Sequence, residues 1–219
     1  SKNNTIEISS NIGKRIEEFE IYLINEEGNI YDYHKESRYK EEGGERIFGK
    51  AVEPEIENIV NRGLSSGENE CFEFKPYIKK GDTKINEIIE TVIAFANTKG
   101  GYILIGVSDY IQIEGIEKEI QKEARKQMKD FDIIFKDYIG YVRKEISDAL
   151  NKATHVEIKP HVYSGRTLLI IEVPEGKYKP YANIHTKDIF VRKGANNVKP
   201  DPETELPKLF LKNQNLFKY

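Results

Sequence analysis

Between Ile85 and Val107 the hydrophobic pattern changes period, and that change leaves few folds open. Ile85, Ile88, Ile89, Val92, Phe95 and Ala96 recur at helical spacing, which places them on one face of a helix. Asp82 or Thr83 is the expected cap and Asn97 the expected end. Gly100-Gly101 then turns the chain into Tyr102-Ile103-Leu104-Ile105-Gly106-Val107. A continuous apolar run of this kind suits a strand covered on both faces. Upstream, Phe72 and Phe74 alternate with Cys71, Glu73 and Lys75, the period of a strand, and Pro76 ends it. Strand, helix and strand in this order imply a βαβ unit. Further strands are expected at Val156–Val162, Thr167–Val173 and Asp188–Arg192, in close succession. Helices are expected from Glu53 to Asn61, stopped by Gly63, and around Tyr138–Lys152. The fold class is therefore mixed α/β (α+β), with a mixed sheet and helices packed on it.

The N-terminal part reads differently. The alternation through Phe19, Ile21 and Leu23, a turn at 25–29 and the run Ile30–Tyr33 predict a hairpin. Residues 35–46 are charged, broken by Gly43-Gly44, and read as a loop or linker. The expected division is an extension over 1–52, a body over 53–205 and a tail over 206–219. Cys71 is the sole cysteine, which excludes an internal disulfide and a zinc site built on two cysteines. No apolar run reaches the ~18 residues of a membrane helix. A reduced, cytoplasmic protein is expected. The net charge of −3 is uneven: residues 1–70 carry −7 and residues 71–219 carry +4. A mildly basic body of this sort can present a positive face to phosphate.

Chemistry concentrates at the strand ends. Glu68 and Glu73 flank the start of the first body strand, and Asp109 follows the second. If these strands are neighbours, the three carboxylates converge at one rim of the sheet. Hard cations such as Mg²⁺ or Mn²⁺ take such oxygen ligands and can activate water against a phosphodiester. Lys75 points to the same side as Glu73 and would assist. The alternative is that these acids are solvated strand-edge carboxylates and that Asp109 is a turn residue. Lys177-Tyr178-Lys179-Pro180-Tyr181 mixes cations with rings in a loop suited to phosphates and bases. Lys118, Lys122, Arg125, Lys126 and Lys129 are interleaved with acids, the pattern of a salt-bridged exposed helix. Asn97 before the double glycine reads as architectural, with a nucleotide-phosphate cradle as the sharper alternative. The four histidines show no ligand spacing.

Three strings carry a resemblance. They are Glu73-Phe74-Lys75, the run from Ala94 to Asp109 (Ala-Phe-Ala-Asn-Thr-Lys-Gly-Gly-Tyr-Ile-Leu-Ile-Gly-Val-Ser-Asp) with Ile113-Glu114-Gly115, and Phe190 to Asn196. Together they resemble the AlbA-like domain of the Schlafen family over roughly residues 53–205. The resemblance implies a metal-dependent endoribonuclease acting on structured RNA such as tRNA or rRNA. It implies a Glu, Glu, Asp triplet falling on Glu68, Glu73 and Asp109, not Glu70, with Mg²⁺ or Mn²⁺ as cofactor. Relatives that lack part of the triplet imply the alternative, a non-catalytic DNA- or RNA-binding module of a regulatory protein. A nucleotide-binding regulatory domain is the third possibility. Arg192 and Lys193, in the strand that the family motif sets beside the acids, are the expected phosphate contacts, with Lys75, Lys177 and Lys179. The animal enzymes have two such lobes and a zinc knuckle. This chain has one lobe and no such cysteines, so zinc is not expected, and a homodimer would be needed to embrace a folded RNA.

Overall fold

The computed structural model describes the backbone over residues 18–24, 30–37 and 54–211, with side chains from 55 to 211. The chain divides into two compact units, Ser1–Pro54 and Glu55–Tyr219. In the first, strands β1 (Glu18–Ile24) and β2 (Ile30–Ser37) pair antiparallel, as the alternation predicts. β2 runs through Lys35–Ser37, the first three residues of the expected linker over 35–46, because they pair with Glu18–Glu20. The expected turn at 25–29 and the rest of that linker lie outside the described residues.

The second unit opens with helix α1 (Pro54–Ser66). The helix does not stop at Gly63 as expected but runs one turn further. A Cβ on Gly63 would lie 2.8 Å from the Phe72 ring, so this glycine serves close helix-to-strand packing and not chain reversal. Strand β3 (Phe72–Lys75), helix α2 (Ile85–Asn97) and strand β4 (Gly100–Ile105) follow. β3 and β4 pair in parallel, which completes the expected βαβ unit. The charged segment after Gly115 forms α3 (Glu117–Gln127), with surface pairs Lys122–Glu119 and Lys126–Glu123. Helix α4 (Phe131–Ala149) begins a full two turns before the expected start. Its buried stripe of Ile134, Tyr138, Val142, Ile146 and Ala149 explains that length.

Strands β5 (Glu157–Tyr163) and β6 (Arg166–Pro174) close the sheet, in the order β3-β4-β6-β5 with only β3 and β4 parallel. Ile103 and Ile105 enter the core shared with α2, α3 and α4. Leu104 and Val107 enter the core shared with α1. The apolar run is thus covered on both sides. A short hairpin, β7 (Val191–Lys193) with β8 (Asn196–Val198), and helix α5 (Leu206–Leu211) complete the described chain. Neither β8 nor α5 carries an apolar periodicity long enough to be read from sequence.

The turn from α2 into β4 depends on Gly100, whose φ is +78°. A Cβ there would lie 2.6 Å from the Val173 carbonyl oxygen, a backbone atom that cannot rotate away. Gly100→Ala is therefore expected to destabilise the protein by roughly 1–3 kcal/mol. A Cβ on Gly140, inside α4, would meet nothing within 4 Å. Gly140→Ala is expected to stabilise by about 0.5–1 kcal/mol. Urea unfolding of the two variants reads both signs, and equal midpoints would contradict this account of the turn.

Candidate functional site

β3 lies at the edge of the sheet, so half of its backbone polar groups face away from β4. Cys71 and Lys75 turn their carbonyls to β4, accepting from Tyr102 N and from Gly106 N and Val107 N. The outward groups are capped by side chains. The Phe74 amide donates to Glu68 Oε1 at 2.9 Å, and the Phe72 carbonyl accepts from Arg192 Nη2 at 3.0 Å. An edge closed in this way offers no strand-pairing template.

Glu73 projects from the opposite face to Phe72 and Phe74, toward α2, and is buried. Two cations hold it. Arg192 Nη2 lies 2.6 Å from Oε2, and Lys75 Nζ lies 2.7 Å from Oε1. The Arg192 side chain has no exposed surface. Its remaining donors end on Asn69 O (3.0 Å) and Asn197 Oδ1 (2.9 Å), and its guanidinium stacks over the Phe95 ring. Its own amide donates to Thr98 Oγ1. Asn197 continues the chain of contacts to Thr91 Oγ1 on α2. Asn97 makes three buried bonds, donating to Tyr181 O and Phe190 O and accepting from Tyr181 N. The architectural reading of that residue is what the structure displays.

Lys75 is surrounded by acids. Glu87 lies 3.5 Å away on the other side from Glu73, and Glu68 is close enough to act on its charge. Burial by itself lowers the ammonium pKa, but the hydrogen bond and charge of Glu73, then Glu87 and Glu68, outweigh it and hold it above 10.5. The ammonium thus sits among carboxylates, in the place where the sequence leads one to expect a divalent cation. Asp109 lies in an exposed turn beyond β4. Among the described residues, no three His, Cys, Asp or Glu side chains gather to hold one metal ion. Glu68, Glu73 and Asp109 as placed do not fit Mg²⁺ or Mn²⁺: one carboxylate caps a backbone amide, one faces a cation at each oxygen although its buried Oε2 makes no hydrogen bond, and the third stands apart.

The expected phosphate contacts divide by burial. Arg192 is a correction, because its charge is turned into the protein by the acceptors just named. Lys179 is a second: it is 2% exposed, and its ammonium donates to Thr98 O and Glu175 Oε1. Lys75 keeps only a small exposed fraction. Lys177 and Lys193 are exposed. Lys177 lies over the ring of Tyr178, itself 53% exposed, and Lys193 pairs with Glu205. Lys99, which no sequence motif singles out, is exposed as well and pairs loosely with Glu70.

The profile of the Schlafen AlbA_2 family matches residues 68–201. The chain belongs to this family. The match spans the whole buried junction, from Glu68 to Asn197. No match is found among curated proteins. Two solved structures are similar. One is the DIP2311 protein of Corynebacterium diphtheriae, at 19% identity and TM-score 0.45, covering 68% of this chain and 27% of that one. The other is the N-terminal domain of a RecG-related protein from Nitrosomonas europaea, at 22% identity and TM-score 0.41, covering 67% of this chain and 90% of that one. The present chain thus spans only about a quarter of the Corynebacterium protein.

Removing Arg192 leaves Glu73 buried with half its compensation. Arg192→Met is expected to cost about 3–5 kcal/mol, and the double variant with Glu73→Gln to recover part of that loss. Strictly additive losses in denaturant titrations would show that the two residues are not coupled. The pH dependence has a definite sign. Lys75 has a folded pKa above its unfolded one, so its contribution is complete below 10.5 and is lost as pH rises through the folded value. Thermal melting from pH 8 to 12 is expected to fall more steeply for the wild type than for Lys75→Met.

Proposed function

We propose that this domain binds nucleic acid through the basic face around the C-terminal turn of α2, and that its acidic residues serve the fold. The observation that carries this reading is the convergence of three exposed lysines on that turn. Lys99 follows it directly. Lys177 lies in the segment anchored there by Gly176 N to Ala96 O and by Lys179 Nζ to Thr98 O. Lys193 follows Arg192, whose amide is held by Thr98 Oγ1. Tyr178 adds a ring on which a base can stack, worth ~1–3 kcal/mol. Family membership supports the same class of partner.

Lysines acting as point charges recognise the phosphate backbone without reading sequence. Binding should therefore weaken with salt, with a log–log slope of about −2 for single strands and three phosphate contacts. The second reading, a metal-dependent endoribonuclease acting on tRNA or rRNA, rests on Glu68, Glu73 and Asp109 filling the acidic positions of the motif, and it requires Lys75 to give way to the ion.

One set of experiments separates the two. Fluorescence anisotropy with labelled tRNA and single-stranded RNA is expected to give salt-dependent binding. The Lys99→Glu, Lys177→Glu and Lys193→Glu triple variant should lose that binding without losing its fold, since these side chains are exposed. Affinity insensitive to salt and to the triple substitution would remove the basic face as the binding surface. Incubation of tRNA with Mn²⁺ is expected to leave it intact. Cleavage by the wild type that disappears in Asp109→Asn would replace the binding reading with the nuclease one.

A further inference from the structure

The last turns of α4 and the start of β5 enclose a cavity of about 240 Å³. Its apolar lining comes from Ile146 on α4, from Leu150, the extended residue that ends that helix, and from Val156 and Ile158 at the start of β5. Its charged lining is of one electrical sign. Arg143 on α4 and Lys152 in the α4–β5 connection supply it, and among the described residues lining it none is a carboxylate.

The cations are available to a ligand in different ways. Lys152 is fixed in place: its ammonium donates to Tyr178 O at 2.9 Å and Pro180 O at 3.1 Å. An ammonium has three hydrogens, so one remains for an acceptor in the cavity. Arg143 is exposed and presents a planar fork that matches phosphate oxygens. The nearby acids are already neutralised, Asp148 by Lys144 and Glu157 by Lys159. Ser147 and Thr154 supply hydroxyls to the lining.

We propose that this cavity takes one nucleoside monophosphate unit, with the base against Ile146, Leu150 and Val156 and the phosphate between Arg143 and Lys152. The size sets the limit to one unit, because pockets that enclose drug-sized ligands run to roughly 300–1,000 Å³. The unit is either a free nucleotide or the phosphorylated end of a strand. Lys152 grips the carbonyl of Tyr178, so the cavity adjoins the loop that carries Lys177. A strand crossing the basic face can therefore reach it. The cavity itself does not rest on that face, since Arg143 and the apolar lining lie on other elements.

The test is an NMR titration of the whole chain with AMP, adenosine and inorganic phosphate. AMP is expected to shift the amides of Ser147, Thr154 and His155 saturably, and to bind more tightly than adenosine or phosphate. Arg143→Ala should weaken AMP by roughly 10- to 100-fold, the loss of a hydrogen bond to a charged group. Lys136→Ala, an exposed residue on the same helix but outside the cavity lining, should leave it unchanged. No saturable shift at millimolar AMP, or an equal loss in both variants, overturns the proposal. A 5′-phosphorylated tetranucleotide that binds better than AMP and better than its unphosphorylated form assigns the site to a strand end; the reverse order assigns it to a free nucleotide. AMP binding that survives the triple lysine variant keeps this site distinct from the basic face.

Discussion

Arg192 carries a full charge to a position with no exposed surface, and a charge placed there is stable only while its acceptors stay in register. Those acceptors belong to two segments far apart in the chain: Asn69, Phe72 and Glu73 in and just before the edge strand, and Asn197 in the closing hairpin. The guanidinium therefore ties β3, α2 and the β7–β8 hairpin into one arrangement. Its stacking on Phe95 brings the α2 core into the same junction. Moving any one segment would expose a buried charge or leave a buried carbonyl without a donor.

That junction also decides what the acids can do. Glu73 compensates Arg192 and Lys75 together, and Glu68 closes the free edge of β3. A carboxylate committed to two cations has little field left for a third. The lysines show the same division. Lys179 supports the loop from inside, while Lys177, two residues earlier, keeps its charge outside. Residue type and spacing are nearly identical at these positions; burial separates their roles.

The elements that can be read from the sequence are those whose apolar pattern is strong and local. The helix ending at Asn97 and the alternation at Phe72 and Phe74 fall where the pattern puts them, whereas the doubly covered strand lies two residues early, because Gly100 and Gly101 pair with β6 and Gly106 turns the chain. Boundaries are misplaced where a residue has two uses. Gly63 has the sequence mark of a helix stop, yet its missing side chain lets α1 approach Phe72. The candidate site is legible as a set of residues and not as a set of contacts. Glu73 and Lys75 adjoin in sequence and in space, but Arg192 reaches Glu73 from more than a hundred residues away. Asn69, Asn197 and Thr98, which hold the junction together, are polar residues with no periodicity to mark them.

A family motif identifies positions, whereas chemistry depends on which charges remain uncompensated at those positions. In this chain the positive charge beside Glu73 comes from Lys75 and Arg192. The cost of gathering carboxylates near one another is thus met within the protein itself, and the fold stands without an external cation. A divalent ion entering here would have to displace Lys75, which Glu73, Glu87 and Glu68 all hold in its charged form. Mutual repulsion among bare carboxylates, the usual force that draws a metal into such a cluster, is already relieved. The outward lysines have no such internal claim on them beyond single surface pairs, which contribute ~0–1 kcal/mol. Phosphate can compete with pairs that weak, and it cannot compete with the buried one. The same difference in burial that stabilises the acidic junction leaves the lysines around α2's last turn with their charges outside.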